Sequence, residues 1–187
     1  MLENKKNVLF DMDGLLIDSE ALGIKMWEKV FAKHNEPFTP EAAYKTIGSN
    51  GLAAQEILEK ITGNRYYFTR FRDDKIKETR KYLETNPMPV KKGAHELLTY
   101  LKDNGYTLVL TSSTFEPDVL FSLKSAGLDK YFDKFVCGDH VIRAKPNPEI
   151  FNKAIELYNL KKEETFIIED SRNGIIAADA AGIDVIG

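Results

Sequence analysis

Cysteine is nearly absent: Cys137 is the only one in 187 residues. No internal disulfide can form, which fits a reducing compartment and makes the cytoplasm the expected location. Positive charge is not in excess. Lysine and arginine number 26 against 29 aspartates and glutamates, a net charge of −3. That gives no electrostatic case for a nucleic-acid partner, which would favour a basic face. Long apolar runs are missing too. The start, Met1-Leu2-Glu3-Asn4-Lys5-Lys6, leads into a short run that soon meets Asp11. It holds neither a signal-peptide core nor a membrane span. The histidines, His34, His95 and His140, are scattered without metal-ligand spacing. There is no internal repeat or low-complexity tract. What remains is an ordinary globular composition, 43% hydrophobic and 29% charged. The length suits one domain, or a domain with a modest insertion.

Short apolar runs mark buried strands. Asn7-Val8-Leu9-Phe10 ends in Asp11, residues 106–112 read alike, and Thr165-Phe166-Ile167-Ile168 precedes Glu169-Asp170. Residues 134–137 and 183–186 are shorter candidates. Helical stripes lie between them. Ala94, Leu97, Leu98 and Leu101 fall at helical spacing before Gly105. Val119, Leu123 and Ala126 form a second stripe ended by Gly127, and Ile150, Phe151, Ala154, Ile155 and Tyr158 a third. This alternation predicts an α/β fold, a parallel sheet with helices on both faces. Residues 20–85 break it. Ile24, Trp27 and Phe31, then Leu52, Ile57, Leu58 and Ile61, read as a helical insertion, with Asn86-Pro87-Met88-Pro89-Val90 as its return linker. The expected division is a core of 1–17 and 89–187 and a helical domain of 18–88.

Ligands of open parallel sheets bind beyond the carboxyl ends of the strands. The suspicious polar groups sit at such ends: Asp11 and Asp13 after the first run, Thr111, Ser112 and Ser113 after the second, Glu169 and Asp170 after the fourth. Asp11-x-Asp13-Gly14 alone is weak, since a turn after a strand has the same composition. Together with a distant third carboxylate it becomes chemical. One aspartate can be nucleophile and metal ligand, the other general acid and then base, and Gly14 permits the tight backbone path. Asp170 adds a ligand for magnesium, which prefers oxygen. Glu169 either binds through water or orients the site. Asp170 and Ser171 also suit a helix N-terminus, and both readings can hold.

A phosphate dianion beside Asp11 would be repelled by about 4 kcal/mol per charge pair at 4 Å with an effective dielectric near 20. The site needs cations, and magnesium with Lys145, in the proline-stiffened loop Arg143-Ala144-Lys145-Pro146-Asn147-Pro148, meets that need. Ser112 is placed as the hydroxyl donating to a phosphoryl oxygen, with Ser113 beside it and Thr111 as the rival one position away. Cys137 lies in an apolar run and reads as core. Trp27, Tyr66, Tyr67, Phe68 and Phe71 read as packing aromatics of the helical domain, and Arg70, Arg72 and Lys75 as a solvated helix face.

These four segments, in this order, resemble the four motifs of the haloacid dehalogenase (HAD) superfamily, and the helical insertion resembles its C1-type cap. The likeness covers residues 7–186 and is nearest to the sugar-phosphate phosphatases and β-phosphoglucomutases. It implies a Rossmann-like core, Mg2+, a phospho-aspartate on Asp11, acid–base work by Asp13, and a metal contact from the Asp13 backbone carbonyl. Asp11, Asp13, Glu169 and Asp170 are the implied metal set. Ser112, Ser113 and Lys145 are the implied phosphoryl contacts. Gly48 and Asn50, in the cap loop 47–51, are implied substrate contacts. Asp13 argues against the dehalogenase and phosphonatase chemistries of the superfamily. Mutases carry a cap histidine, where this chain has Gly23, and a cap-loop arginine, which the loop 47–51 lacks. A phosphatase acting on a small phosphorylated metabolite is therefore expected. A mutase is the alternative, and a non-catalytic phosphate-binding protein is a more distant one. A monomer suffices. By the same resemblance, chains of this kind continue past the equivalent of Gly187, so an incomplete sheet edge and reduced stability are expected.

Overall fold

A computed structural model describes residues 4–45, 55–57, 59, 60, 63 and 67–187. The candidate substrate contacts Gly48 and Asn50, with Leu52, Leu58, Ile61 and Tyr66, lie outside the described residues. The chain divides into two compact units, Met1–Asp18 with Met88–Gly187, and Ser19–Pro87.

Strand β1 (Asn7–Phe10) opens the first unit. The second unit contributes α1 (Ser19–Lys33), α2 (Pro40–Tyr44) and α3 (Tyr67–Leu83). The chain returns to the first unit with α4 (Ala94–Asp103), β2 (Thr107–Thr111), α5 (Glu116–Ala126) and β3 (Phe135–Val136). Then come α6 (Glu149–Leu157), β4 (Thr165–Ile168), α7 (Arg172–Ala181) and β5 (Asp184–Ile186). The strand runs expected at 106–112, 134–137 and 183–186 are each shortened, because their outer residues serve loops and helix ends instead.

All five strands are parallel, in the order β3-β2-β1-β4-β5. From β1 the chain winds out to β3 on one side, then crosses to β4 and β5 on the other. The direction of winding reverses next to β1, which is where such sheets open a crevice. The inner strands β1, β2 and β4 are buried on both faces, so their residues are mostly apolar without alternation. Leu9, Val109, Val136 and Ile167 pack one face against Ile150, Phe151 and Ala154 of α6 and Ala177, Ala178 and Ala181 of α7. Val8, Phe10, Leu108 and Leu110 point the other way and are just as buried. Cys137 joins this interior, and burial pushes its thiol up to about 12, so it is inert core.

The second unit has its own centre of Trp27, Val30, Phe31 and Phe71, with Phe38 packed against it. Phe31 and Phe71 meet edge to face at 5.3 Å. The buried stripe of α1 is Leu22, Met26, Trp27, Val30 and Phe31. Ile24, expected within it, lies at the margin and is half-buried. A stripe spanning positions i, i+4, i+5, i+8 and i+9 is wider than the one read from aromatic spacing alone. Leu97 of α4 is likewise at a margin and exposed, while Ala94, Leu98 and Leu101 are buried. Among the described residues no helix is long and apolar enough to cross a membrane.

Candidate active site

Register brings three strand ends level. Phe10 pairs with Leu110 on one side and Ile168 on the other. The next residues therefore leave the sheet at one edge. Asp11 N–H donates to Ile168 C=O at 3.1 Å, Ser112 N–H to Val136 C=O at 3.1 Å, and Glu169 N–H to Ile186 C=O at 3.0 Å. Backbone pairing thus fixes these polar residues independently of their side-chain contacts. Asp11, Thr111, Ser112 and Glu169 are all buried.

Lys145 joins them. Its ammonium donates to Asp11 Oδ1 at 2.6 Å, to Glu169 Oε2 at 2.7 Å and to the Thr111 C=O at 3.1 Å. Three donors thus meet three acceptors. The ammonium also lies 5.2 Å from the ring centre of buried Phe151. Burial alone would lower the lysine's pKa, but the charges of Asp11 and Glu169 outweigh it and the net direction is up. The Asp11 pKa rises as well, but for a carboxyl that favours the neutral form. Burial lifts its carboxyl to about 7 despite Lys145, and the Glu169 charge adds to the rise.

The Lys145 loop is built by residues with no chemical signature of their own. Glu149 accepts from Ile142 N–H at 2.7 Å and from Arg143 N–H at 3.2 Å. Asn147 Oδ1 accepts from Glu149 N–H, the first amide of α6, at 3.1 Å. The Lys145-Pro146 peptide is cis.

Glu169 is spoken for on both oxygens. While Oε2 takes Lys145, Oε1 accepts from Ser171 N–H at 3.1 Å and Ser171 Oγ–H at 2.7 Å. Ser171 is the N-cap of α7 and accepts from Gly174 N–H at 3.0 Å. A Cβ on Gly174 would overlap the Glu169 carboxyl. The capping and chemical readings of this segment therefore coexist. Asp170 is more exposed, and desolvation first, the Glu169 charge second, raise its pKa. Gly14, with φ 86°, passes so near that a Cβ there would overlap Asp170 Oδ2. The glycine after the aspartate pair thus lets the fourth strand's carboxylate approach the first strand's loop.

That loop turns back on itself. Gly14 N–H donates to Ile17 C=O at 2.9 Å, and Leu16 N–H to Met12 C=O at 3.0 Å. Met12, Leu16 and Ile17 are buried, anchoring the loop while Asp13 meets two hydroxyls. Ser112 Oγ lies 3.4 Å and Thr114 Oγ1 2.8 Å from Asp13 Oδ2. Thr111 is otherwise engaged: its hydroxyl donates to Phe10 C=O at 3.2 Å. It ties β2 to β1, which leaves Ser112 beside the acid.

One oxygen each from Asp11, Glu169 and Asp170 lies within 4.8 Å of the others, an arrangement that could hold a cation. Two of these carboxylates, Asp11 and Glu169, share the Lys145 ammonium, and all the candidate ligand atoms are hard oxygens. This set fits Mg2+, which takes one or two carboxylates with water and substrate phosphate. A second such group, Glu116, Asp139 and His140, lies after β2 and β3. There His140 Nδ1 accepts from Cys137 N–H at 3.1 Å and Nε2 faces Glu116 Oε2 at 3.2 Å. Both ring nitrogens are used, as a structural histidine requires. Sequence spacing gave no sign of Thr114, Asn147, Glu149 or this cluster, because their partners are brought together by the fold.

Residues 8–187 match the family model of the haloacid dehalogenase-like hydrolases. A phosphorylated carbohydrates phosphatase of Thermotoga maritima is 33% identical over 183 residues, 96% of this chain and 82% of that protein. A validoxylamine A 7'-phosphate phosphatase of Streptomyces hygroscopicus subsp. limoneus is 28% identical over 186 residues, 97% of this chain and 84% of the relative. Among solved structures, a Thermotoga maritima protein provisionally described as a beta-phosphoglucomutase aligns with a TM-score of 0.81 at 30% identity. That alignment covers 97% of this chain and 84% of the other.

Proposed function

The chain belongs to the haloacid dehalogenase-like hydrolase family, and from that premise we propose a magnesium-dependent phosphatase that hydrolyses a small phosphorylated carbohydrate through a phospho-aspartate on Asp11. Its class, a phosphatase of this family, is that of its relatives. The observation that carries the finer reading is the Lys145 ammonium bridging buried Asp11 and Glu169 at the sheet edge, with Asp170 alongside.

Asp11 attacks phosphorus, and the bond from phosphorus to the sugar oxygen breaks. Asp13, protonated at that moment, gives its proton to the departing oxygen. Water then attacks the phospho-aspartate, Asp13 takes a proton from it, and the phosphorus–Asp11 bond breaks to release phosphate. Ser112, Ser113 and Lys145 bind the phosphoryl oxygens. Glu169 keeps Lys145 charged and in place. Asp11 and Asp170, with the Asp13 backbone carbonyl, would hold Mg2+, and Glu169 adds its charge behind them. When bound, the ion offsets the carboxylate charge that would otherwise repel a phosphate dianion. The unit Ser19–Pro87 is read as the cap that selects substrate and excludes water, with Gly48 and Asn50 as its candidate contacts. A reaction on small metabolites in the cytoplasm fits this scheme.

The mutase reading is kept because of the likeness to the provisionally described beta-phosphoglucomutase. Against it stands Gly23 on α1, beside the Lys75 ammonium, at the position of the mutase histidine. A phosphate-release screen over phosphorylated sugars, with Mg2+ and with chelator, tests both. It should include β-glucose 1-phosphate with a bisphosphate primer. Phosphate release only with Mg2+ is expected. Glucose 6-phosphate formed without phosphate release would reverse the reading.

A further inference from the structure

A run of hydroxyls leading into a helix, Ser112-Ser113-Thr114 before α5, has an ordinary use as a helix cap. The structure puts Thr114 to a different use. The N-cap of α5 is Phe115, with no side-chain cap of its own. The cap comes from a distant residue: Glu116 N–H donates to Asp139 Oδ1 at 3.0 Å. Thr114 is not the cap residue, and its hydroxyl donates to Asp13 Oδ2 at 2.8 Å.

The rest of Thr114 is fixed as well. Its N–H donates to Ser112 Oγ at 3.0 Å, and its C=O accepts from Gly138 N–H at 2.9 Å. Gly138 allows this approach, since a Cβ there would overlap the Ser113 carbonyl. A β-branched side chain on a pinned backbone has little rotamer freedom. Ser112 reaches the same Asp13 oxygen at 3.4 Å, a longer and weaker contact.

We propose that Thr114 is a positioning residue for proton transfer by Asp13. Held at Oδ2, the carboxyl turns its other oxygen, Oδ1, to the reaction. Oδ1 carries the proton to the departing sugar oxygen as the phosphorus–oxygen bond breaks, and it takes one back from the attacking water. When a phosphoryl group draws the Ser112 hydroxyl away, the Thr114 hydroxyl stays on Asp13. This inference rests on the phosphatase reading above.

The test compares two leaving groups. Glucose 6-phosphate releases an alkoxide that needs a proton, whereas p-nitrophenyl phosphate releases a stable phenolate that does not. kcat/KM reports formation of the phospho-aspartate, so the ratio of the two values reads the acid's contribution. Thr114→Val should lower the alkyl-to-aryl ratio about tenfold or more, given that misplacing a reacting group by 1 Å can cost about 100-fold. Thr114→Ser, which keeps the hydroxyl, should restore it. Should the valine variant fold poorly, Thr114→Ala removes the hydroxyl without bulk and should show the same fall. A purely structural role would lower both substrates alike. An active wild type with an unchanged ratio in the variants overturns the inference alone. A wild type that cleaves neither ester, with or without Mg2+, overturns the phosphatase reading and this inference with it.

Discussion

Asp11 is asked to be a nucleophile in a place that disfavours its charge. It is 7% exposed, and with Glu169 it gives Lys145 two carboxylates for one ammonium. One negative charge is in excess, and burial raises the Asp11 pKa to about 7. The sign follows. A carboxyl whose folded pKa lies above its unfolded value adds stability below the unfolded pKa, near 4, and loses it as pH rises through about 7. The metal-free protein should therefore weaken between those limits. Asp11→Asn keeps an oxygen for Lys145 and removes the excess charge. Its turnover should fall by about 10⁴-fold or more, while its unfolding free energy at pH 8 without metal should exceed wild type by something on the order of 1–4 kcal/mol. Urea unfolding at pH 4.5 and pH 8 in chelator checks this. Full activity would remove Asp11 from the mechanism, and a wild-type stability profile would remove the charge argument.

Among elements, α7 couples structure to chemistry at its first turn. Ser171 caps the helix and, through the same side chain, donates to Glu169, which in turn holds Lys145. Ser171→Ala should cost about 1 kcal/mol for the cap and also lower kcat several-fold, because Lys145 loses the support behind its anchor. A stability loss with unchanged kcat would show that the cap alone matters. The same helix shows what sequence can and cannot reveal. Its start was legible, since serine before Arg172-Asn173-Gly174 is local chemistry. So were β1, β2 and β4, whose apolar residues end in acids or hydroxyls; the proposed site residues Asp11, Asp13, Ser112, Lys145 and Asp170 follow a motif order in the sequence. Thr114 was not, because nothing in its local sequence shows that the fold sets its hydroxyl against Asp13. Glu149 and Asn147 were hidden for the same reason: a residue that braces a loop looks like any other polar residue until the fold supplies its partner.

Across the whole molecule, charge is distributed in a telling way. The chain has 29 acids and 26 bases. Remove Asp11, Asp13, Glu169, Asp170 and Lys145, and about 25 of each remain, so the formal net charge of −3 is that of the site. A site with this excess of carboxylates attracts a small cation and repels an unaccompanied phosphate. Magnesium binding should then appear as stability through mass action, about 2.7 kcal/mol at one hundred times its Kd, or about 5–10 °C in Tm for a chain of this size. A proton on Asp11 competes with the ion, so the shift should grow from pH 6 to pH 8 as that carboxyl ionises around 7. Hydrogen exchange should slow at the carboxyl ends of β1 and β4 and stay unchanged in α1 and α3, which belong to the other compact unit. Thermal melts with Mg2+ and with chelator at both pH values, repeated in Asp170→Ala, decide the matter. A shift of equal size at pH 6 and pH 8 that survives loss of Asp170 would place the ion elsewhere. A shift that grows with pH and vanishes in the variant would place it against Asp11 and Asp170, beside Lys145, which already balances part of their charge.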